Sequence, residues 1–187
     1  MSALLFGATA GLIAGVAATW IMDRFQYNWW DVAAFIERWR GPATLVPAPV
    51  AAPAPEAPAA SAPAEFSGPS TAKVANWFFR RWKCRDLNGH EKGPAGEIVH
   101  YAFGIANAVL FGALVAALGL VGIAWGIAFG AALFVLVDEL GLWAMGLARG
   151  PWNYPLSIHV YALAAHVVYG LALGVGYAVL AGLSFTS

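Results

Sequence analysis

Charge is scarce in this chain: ten Lys and Arg and ten Asp and Glu make up 11% of 187 residues. Soluble domains carry roughly a quarter of their residues as charge, so a continuous hydrated surface cannot be built from this composition. Cysteine is nearly absent, and Cys84 alone excludes an internal disulfide. There is no His-Glu-x-x-His pair, no Cys pair, no nucleophile elbow, no phosphate-binding glycine loop and no dinucleotide fingerprint. No catalytic residue, metal or cofactor is therefore assigned, and the expectation is a protein that is not an enzyme. A basic excess is missing too, since the formal net charge is zero, which argues against a nucleic-acid partner.

What the chain has in abundance is apolar sequence, 60% of all residues, gathered into runs. Crossing the hydrocarbon core takes ~20 predominantly apolar residues. Four stretches qualify, at roughly 3 to 22, 98 to 119, 121 to 147 and 157 to 183. The fold class read from this pattern is an all-α integral membrane protein with four transmembrane helices and interfacial amphipathic segments, with the lipid bilayer as its main partner. The small residues Val16, Ala17 and Ala18 would suit signal-peptide processing, but no Lys or Arg precedes the first run and Asp23-Arg24 follows it, so a retained helix is expected. Nine of the ten Lys and Arg lie between Arg24 and Lys92, and Arg149 lies between the third and fourth spans. The positive-inside rule then puts both of those connections in the cytoplasm, and the termini and the turn near Gly119 to Gly122 outside.

The organisation follows from these runs. Residues 1–24 form the first span. Residues 25–41 are an amphipathic segment for the membrane surface, with Trp29, Trp30, Phe35, Ile36 and Trp39 among Asp31, Glu37, Arg38 and Arg40. Residues 42–70 are an Ala/Pro-rich linker that proline keeps out of regular helix. Residues 71–97 are a basic and aromatic interfacial segment carrying Trp77, Phe78, Phe79 and Trp82 with Arg80, Arg81, Lys83 and Arg85. The remaining three spans fill 98–187.

Small residues four apart recur in the spans, the pattern that lets apolar helices approach closely in lipid. Gly7, Gly11 and Gly15 mark the first span and Gly122, Gly126 and Gly130 the third, with Asp23 and Asp138 each eight residues after the last glycine. His100, Gly104, Ala108 and Gly112 in the second span match His166, Gly170, Gly174 and Ala178 in the fourth. The chain thus reads as two helical hairpins related as a parallel repeat, each offering one Asp on its outgoing helix and one His on its returning helix. Glycine faces left unused within one chain point to self-association.

Asp23, His100, Asp138 and His166, with Glu139 beside Asp138, form the candidate intramembrane polar cluster. Ionised groups at such depth cost ~2.5 to 3.5 kcal/mol each and are expected to face inward and pair. Two roles stay open: fixing helix register by hydrogen bonds, or responding to protons or cations. His159, two turns before His166 and near Arg149-Gly150-Pro151, is expected at the interface.

Gly11 to Asp23, Thr71-Ala72-Lys73-Val74-Ala75, Ala95 to Gly104, Asp138-Glu139, Gly146-Leu147 and His166-Val167-Val168-Tyr169-Gly170 together resemble the YagU-like family of bacterial inner-membrane proteins. The resemblance covers most of the chain outside the linker and implies a bacterial inner-membrane location without naming an activity, substrate or cofactor. The family pattern places a proline between the Asp-Glu pair and the Gly-Leu pair, where this chain carries Trp143. The function expected is a structural or envelope-stress role, with a small proton- or cation-handling transporter or channel as the alternative.

Overall fold

The structure, a computed structural model, describes residues 2–29, 70–120 and 123–184, with nothing stated of the side chains of 183 and 184. The segment from Trp30 to Arg40, the Ala/Pro linker and Gly122 therefore lie outside the described residues. Every regular element among those described is helical, and four helices are long and apolar enough to cross a membrane. They are α1 (Ala3–Tyr27), α3 (Gly89–Leu118), α4 (Ala124–Ala144) and α5 (Leu156–Ser184). A shorter helix, α2 (Ser70–Lys83), precedes α3.

The ends follow local chemistry. Ser2 caps α1 through its side chain, which accepts from the Leu5 amide, and α1 runs on through Asp23-Arg24 to Tyr27. α3 begins well before its apolar run. Asn88 and Glu91 form a reciprocal capping box, the Asn88 side chain accepting from the Glu91 amide and the Glu91 carboxylate accepting from the Asn88 amide. Gly119 then ends α3 at φ +61°, a left-handed conformation natural to glycine.

Two antiparallel hairpins result, α1 with α3 and α4 with α5. α5 also packs antiparallel on α1, where Ala14 Cβ lies 3.0 Å from the Cβ position of Gly176 and the Trp29 and Tyr161 rings meet at 5.3 Å. The buried core lies among α1, α3 and α5: Ala14, Ala18 and Met22, then Phe111 and Val115, then Ala165, Tyr169 and Leu173. α3 and α4 meet through large side chains, with Phe111 and Phe129 at 5.2 Å.

Small residues set how near the hairpin helices come. A Cβ at Gly7 would overlap the Gly112 carbonyl oxygen, and one at Gly11 that of Ala108; one at Gly15 would overlap the Ala108 methyl, and one at Gly104 the Thr19 hydroxyl. In the second hairpin the same holds for Gly126 against the Gly170 carbonyl, and for Gly130 against the His166 carbonyl. Gly174 is less tight, with Ile123 O at 3.0 Å. The register differs between the hairpins. Gly11 faces Ala108 and Gly112, whereas its repeat partner Gly126 faces Gly170 and Gly174, although the repeat aligns Ala108 with Gly174. The second hairpin is thus one helical turn out of step with the first.

Within α4, residues Phe134–Gly141 form a π-helical segment, in which backbone bonds skip one residue further than in an α-helix. Near α3, α2 folds back antiparallel: Ala72 packs at Gly96, and Asn76 donates to Asp86 (2.7 Å) while accepting from the Leu87 amide (2.7 Å). Arg85 grips Glu91 with two bonds of 2.8 Å. That grip and the cap hold the Glu91 carboxyl well below its ordinary range, at about 2, and the Arg85 guanidinium above its own. Both groups precede the apolar stretch of α3. α2 leaves Phe78 and Trp82 exposed, with Arg81 over the Trp77 ring and Lys83 over the Trp82 ring.

Candidate functional site

The Asp, Glu and His side chains of the spans lie towards the end of the bundle where α1 finishes and α4 meets the α4–α5 connection. On α1, Gly15, Thr19 and Asp23 follow one another at steps of four and share a face. Thr19 fits against Gly104 because that residue has no Cβ. One turn beyond this contact, at matched positions on α1 and α3, stand Asp23 and His100. No hydrogen bond or ion pair joins those two side chains among the described residues. Asp23 lies 3.9 Å from the neighbouring Arg24 guanidinium, with both side chains partly exposed.

In the second hairpin the His166 Nδ1 lies 2.9 Å from the Ala162 carbonyl and 3.8 Å from the Asp138 carboxylate. The nearer oxygen is the hydrogen-bond acceptor, so Nδ1 carries the proton. The longer distance is electrostatic contact and no hydrogen bond. The hairpins meet here as well. The Tyr169 hydroxyl, deeply buried, donates to the Gly104 carbonyl at 2.6 Å, one turn from both histidines. Two buried polar atoms of this region, Thr19 Oγ1 and His100 Nε2, have no hydrogen-bond partner among the described residues. An unpaired buried polar atom costs ~1 to 3 kcal/mol, so the region holds strain that an apolar core would not.

Asp23 and His100 of the first hairpin and Asp138 and His166 of the second therefore stand at the same end of the bundle, on either side of the Tyr169–Gly104 bond, and of the two pairs Asp138–His166 comes within 4 Å. Glu139 takes a different partner. Its Oε1 lies 2.6 Å from His159 Nδ1, while His159 Nε2 lies 3.1 Å from the Pro151 carbonyl. The sequence grouping put Glu139 with Asp138 and gave His159 no partner. Both carboxylates lie in the π-helical segment Phe134–Gly141, where consecutive side chains still point in different directions, and one turns to His166 and the other to His159. The signal available in the sequence was the adjacent acid pair set against two histidines seven residues apart on one face of α5.

Among the described residues, no group of three or more His, Cys, Asp or Glu is arranged to hold a metal ion. The arrangement can do two things chemically: tie helices through polar contacts, and hold or pass protons among imidazoles and carboxylates. Compared with protein-family models, with curated proteins and with solved structures, the chain matches none.

Proposed function

We propose that this chain is a multi-pass protein of the bacterial inner membrane, of the YagU-like kind, with a structural or envelope-stress role and no catalytic activity. Its central loop lies in the cytoplasm and its termini outside. The observation that carries the reading is the backbone contact along both hairpins, where even a methyl group at Gly7, Gly11, Gly126 or Gly130 would overlap a facing carbonyl. Small-residue packing of this kind joins helices in lipid and leaves no room for a solute between α1 and α3 or between α4 and α5. Copies of the chain associate through lipid-facing surfaces, and the bilayer is the other partner.

A second reading is favoured by one observation, the gathering of Asp23, His100, Asp138 and His166. On that reading the chain is a small proton- or cation-handling transporter or channel. One experiment separates the two: purified protein in liposomes loaded with a pH-sensitive dye, compared with Asp138→Asn and His166→Ala. Transport requires that wild type dissipate an imposed pH gradient and that both variants lose this while still assembling. A structural role requires no flux from wild type, with the variants weakened in assembly alone.

A further inference from the structure

The Glu139–His159 pair lies outside the Asp/His cluster and outside the structural reading just given. His159 sits in the first turn of α5, its side chain about one quarter exposed, between α4 and the connection that joins the two helices. Both ring nitrogens face acceptors: a carboxylate oxygen at 2.6 Å on Nδ1 and a carbonyl oxygen at 3.1 Å on Nε2. A neutral imidazole has one N–H and one lone pair, so it can satisfy only one of them. Only the doubly protonated ring donates to both.

We propose that His159 is a pH-responsive latch that pins the α4–α5 connection to the bundle while its ring carries two protons, and releases it when one is lost. The two contacts are not equally expendable. Within the described residues the Glu139 carboxylate has His159 as its only hydrogen-bond partner, and an ionised carboxylate left alone in a span is costly. The Pro151 carbonyl also accepts from the Tyr154 amide, at 3.2 Å, and keeps that bond without the ring. Deprotonation therefore opens the Pro151 end and leaves the ring bonded to Glu139.

The freed segment is the turn Pro151–Asn153 and the residues around it. Its other contacts among the described residues are Trp152 edge-on to Trp143 at 5.4 Å, the Arg149 amide donating to the Tyr154 hydroxyl at 3.2 Å, Asn153 donating to the Gly150 carbonyl from its amide (2.9 Å) and side chain (3.1 Å), and the Tyr154 backbone beside the His159 ring. On the elements that meet the ring, the charged and titratable residues nearest in sequence among those described are Glu139 and Asp138 on α4, Arg149 and Tyr154 in the connection, and Tyr161 and His166 on α5. Among the described residues, Glu139 is the one whose ionisable side chain contacts the ring.

The test places a nitroxide spin label at Arg149→Cys in a Cys84→Ser background, in the full chain reconstituted in liposomes, and reads label mobility from about pH 5 to about pH 9, the range in which histidine changes charge. Mobility rises through a single transition as pH increases, while a label at Gly93→Cys on α3 shows none. His159→Gln abolishes the transition. Glu139→Gln moves it towards acid by about 1 to 3 pH units, the effect of removing an adjacent charge. A flat response at Arg149, a transition that survives His159→Gln, or an equal transition at Gly93 overturns the proposal.

Discussion

Adding one methyl group at Gly126 measures how much of this fold depends on close helix approach. The facing atom is the Gly170 carbonyl oxygen, with the Gly174 Cα at 2.8 Å beside it, so both neighbours are backbone and no side chain can swing aside. The helices must part by about 1 Å to restore ordinary contact, and a gap of that size forfeits about a quarter to a half of the dispersion between the atoms it separates. Overpacking of this kind costs about 1 to 3 kcal/mol. Alanine's better helix propensity returns at most about 1 kcal/mol. At Gly182, where nothing lies within 4 Å of an added Cβ, only the propensity gain remains. Gly126→Ala is therefore expected to lower stability by about 1 to 2 kcal/mol, a shift of about tenfold in the folding equilibrium. Gly182→Ala is expected to leave it equal or higher. Denaturation by SDS titration from mild detergent, followed by helical circular dichroism, reads both variants, with Gly11→Ala as the matching probe in the first hairpin. If Gly126→Ala and Gly182→Ala unfold together, the hairpins are not held at backbone contact and the packing argument fails.

Three further outcomes are expected. Tyr169→Phe deletes the hydroxyl that donates to the Gly104 carbonyl and should cost about 0.6 kcal/mol and at most about 1.7, the range for hydrogen bonds between membrane helices, in the same titration. Thr19→Val removes a buried hydroxyl that has no partner among the described residues, so stability should be unchanged or slightly higher, unlike the loss seen when a hydrogen-bonded threonine is replaced. Because the folded Glu91 carboxyl titrates at about 2, below its ordinary value of 4.5, its contribution to the α2–α3 corner is complete above the ordinary value and is lost as pH falls from there towards 2. Limited proteolysis after Arg85 should therefore accelerate over that acid window in wild type with an acid-active protease, while Glu91→Gln should cleave readily throughout.

Much of this was legible in the sequence, because lipid imposes simple length and polarity rules. The four apolar runs gave the four spans, and the four-residue spacing of small residues marked the faces that meet. Helix ends were harder. α1 continues through Asp23-Arg24, and α3 starts at Gly89 because Asn88 and Glu91 cap it, a local signal that hydropathy passes over. Register was hidden for a physical reason: a glycine stripe permits contact at several one-turn offsets, and the Ala108 methyl helps decide which is taken in the first hairpin. The sequence repeat consequently overstates the likeness of Asp23–His100 to Asp138–His166, since only the second pair comes within 4 Å. Glu139–His159 was hidden because a π-helical segment changes where each side chain points, and the apolar 3.6-residue period does not encode it.

That segment also has a consequence for the history of the chain. A π-helical turn holds one residue more than an α-helical one, so the side chains beyond it point to other partners than an unbroken α-helix would present, without any change in hydrophobicity. In α4 the residues before Phe134 keep the glycine face that α5 requires, while those after it present two consecutive carboxylates to two different histidines. α1, an unbroken α-helix, carries one carboxylate at the corresponding place. If the hairpins descend from one ancestor, they are no longer interchangeable parts: grafting α1 into the place of α4 would preserve the packing stripe and delete a polar contact, and a single-residue deletion within Phe134–Gly141 would do the same by phase alone.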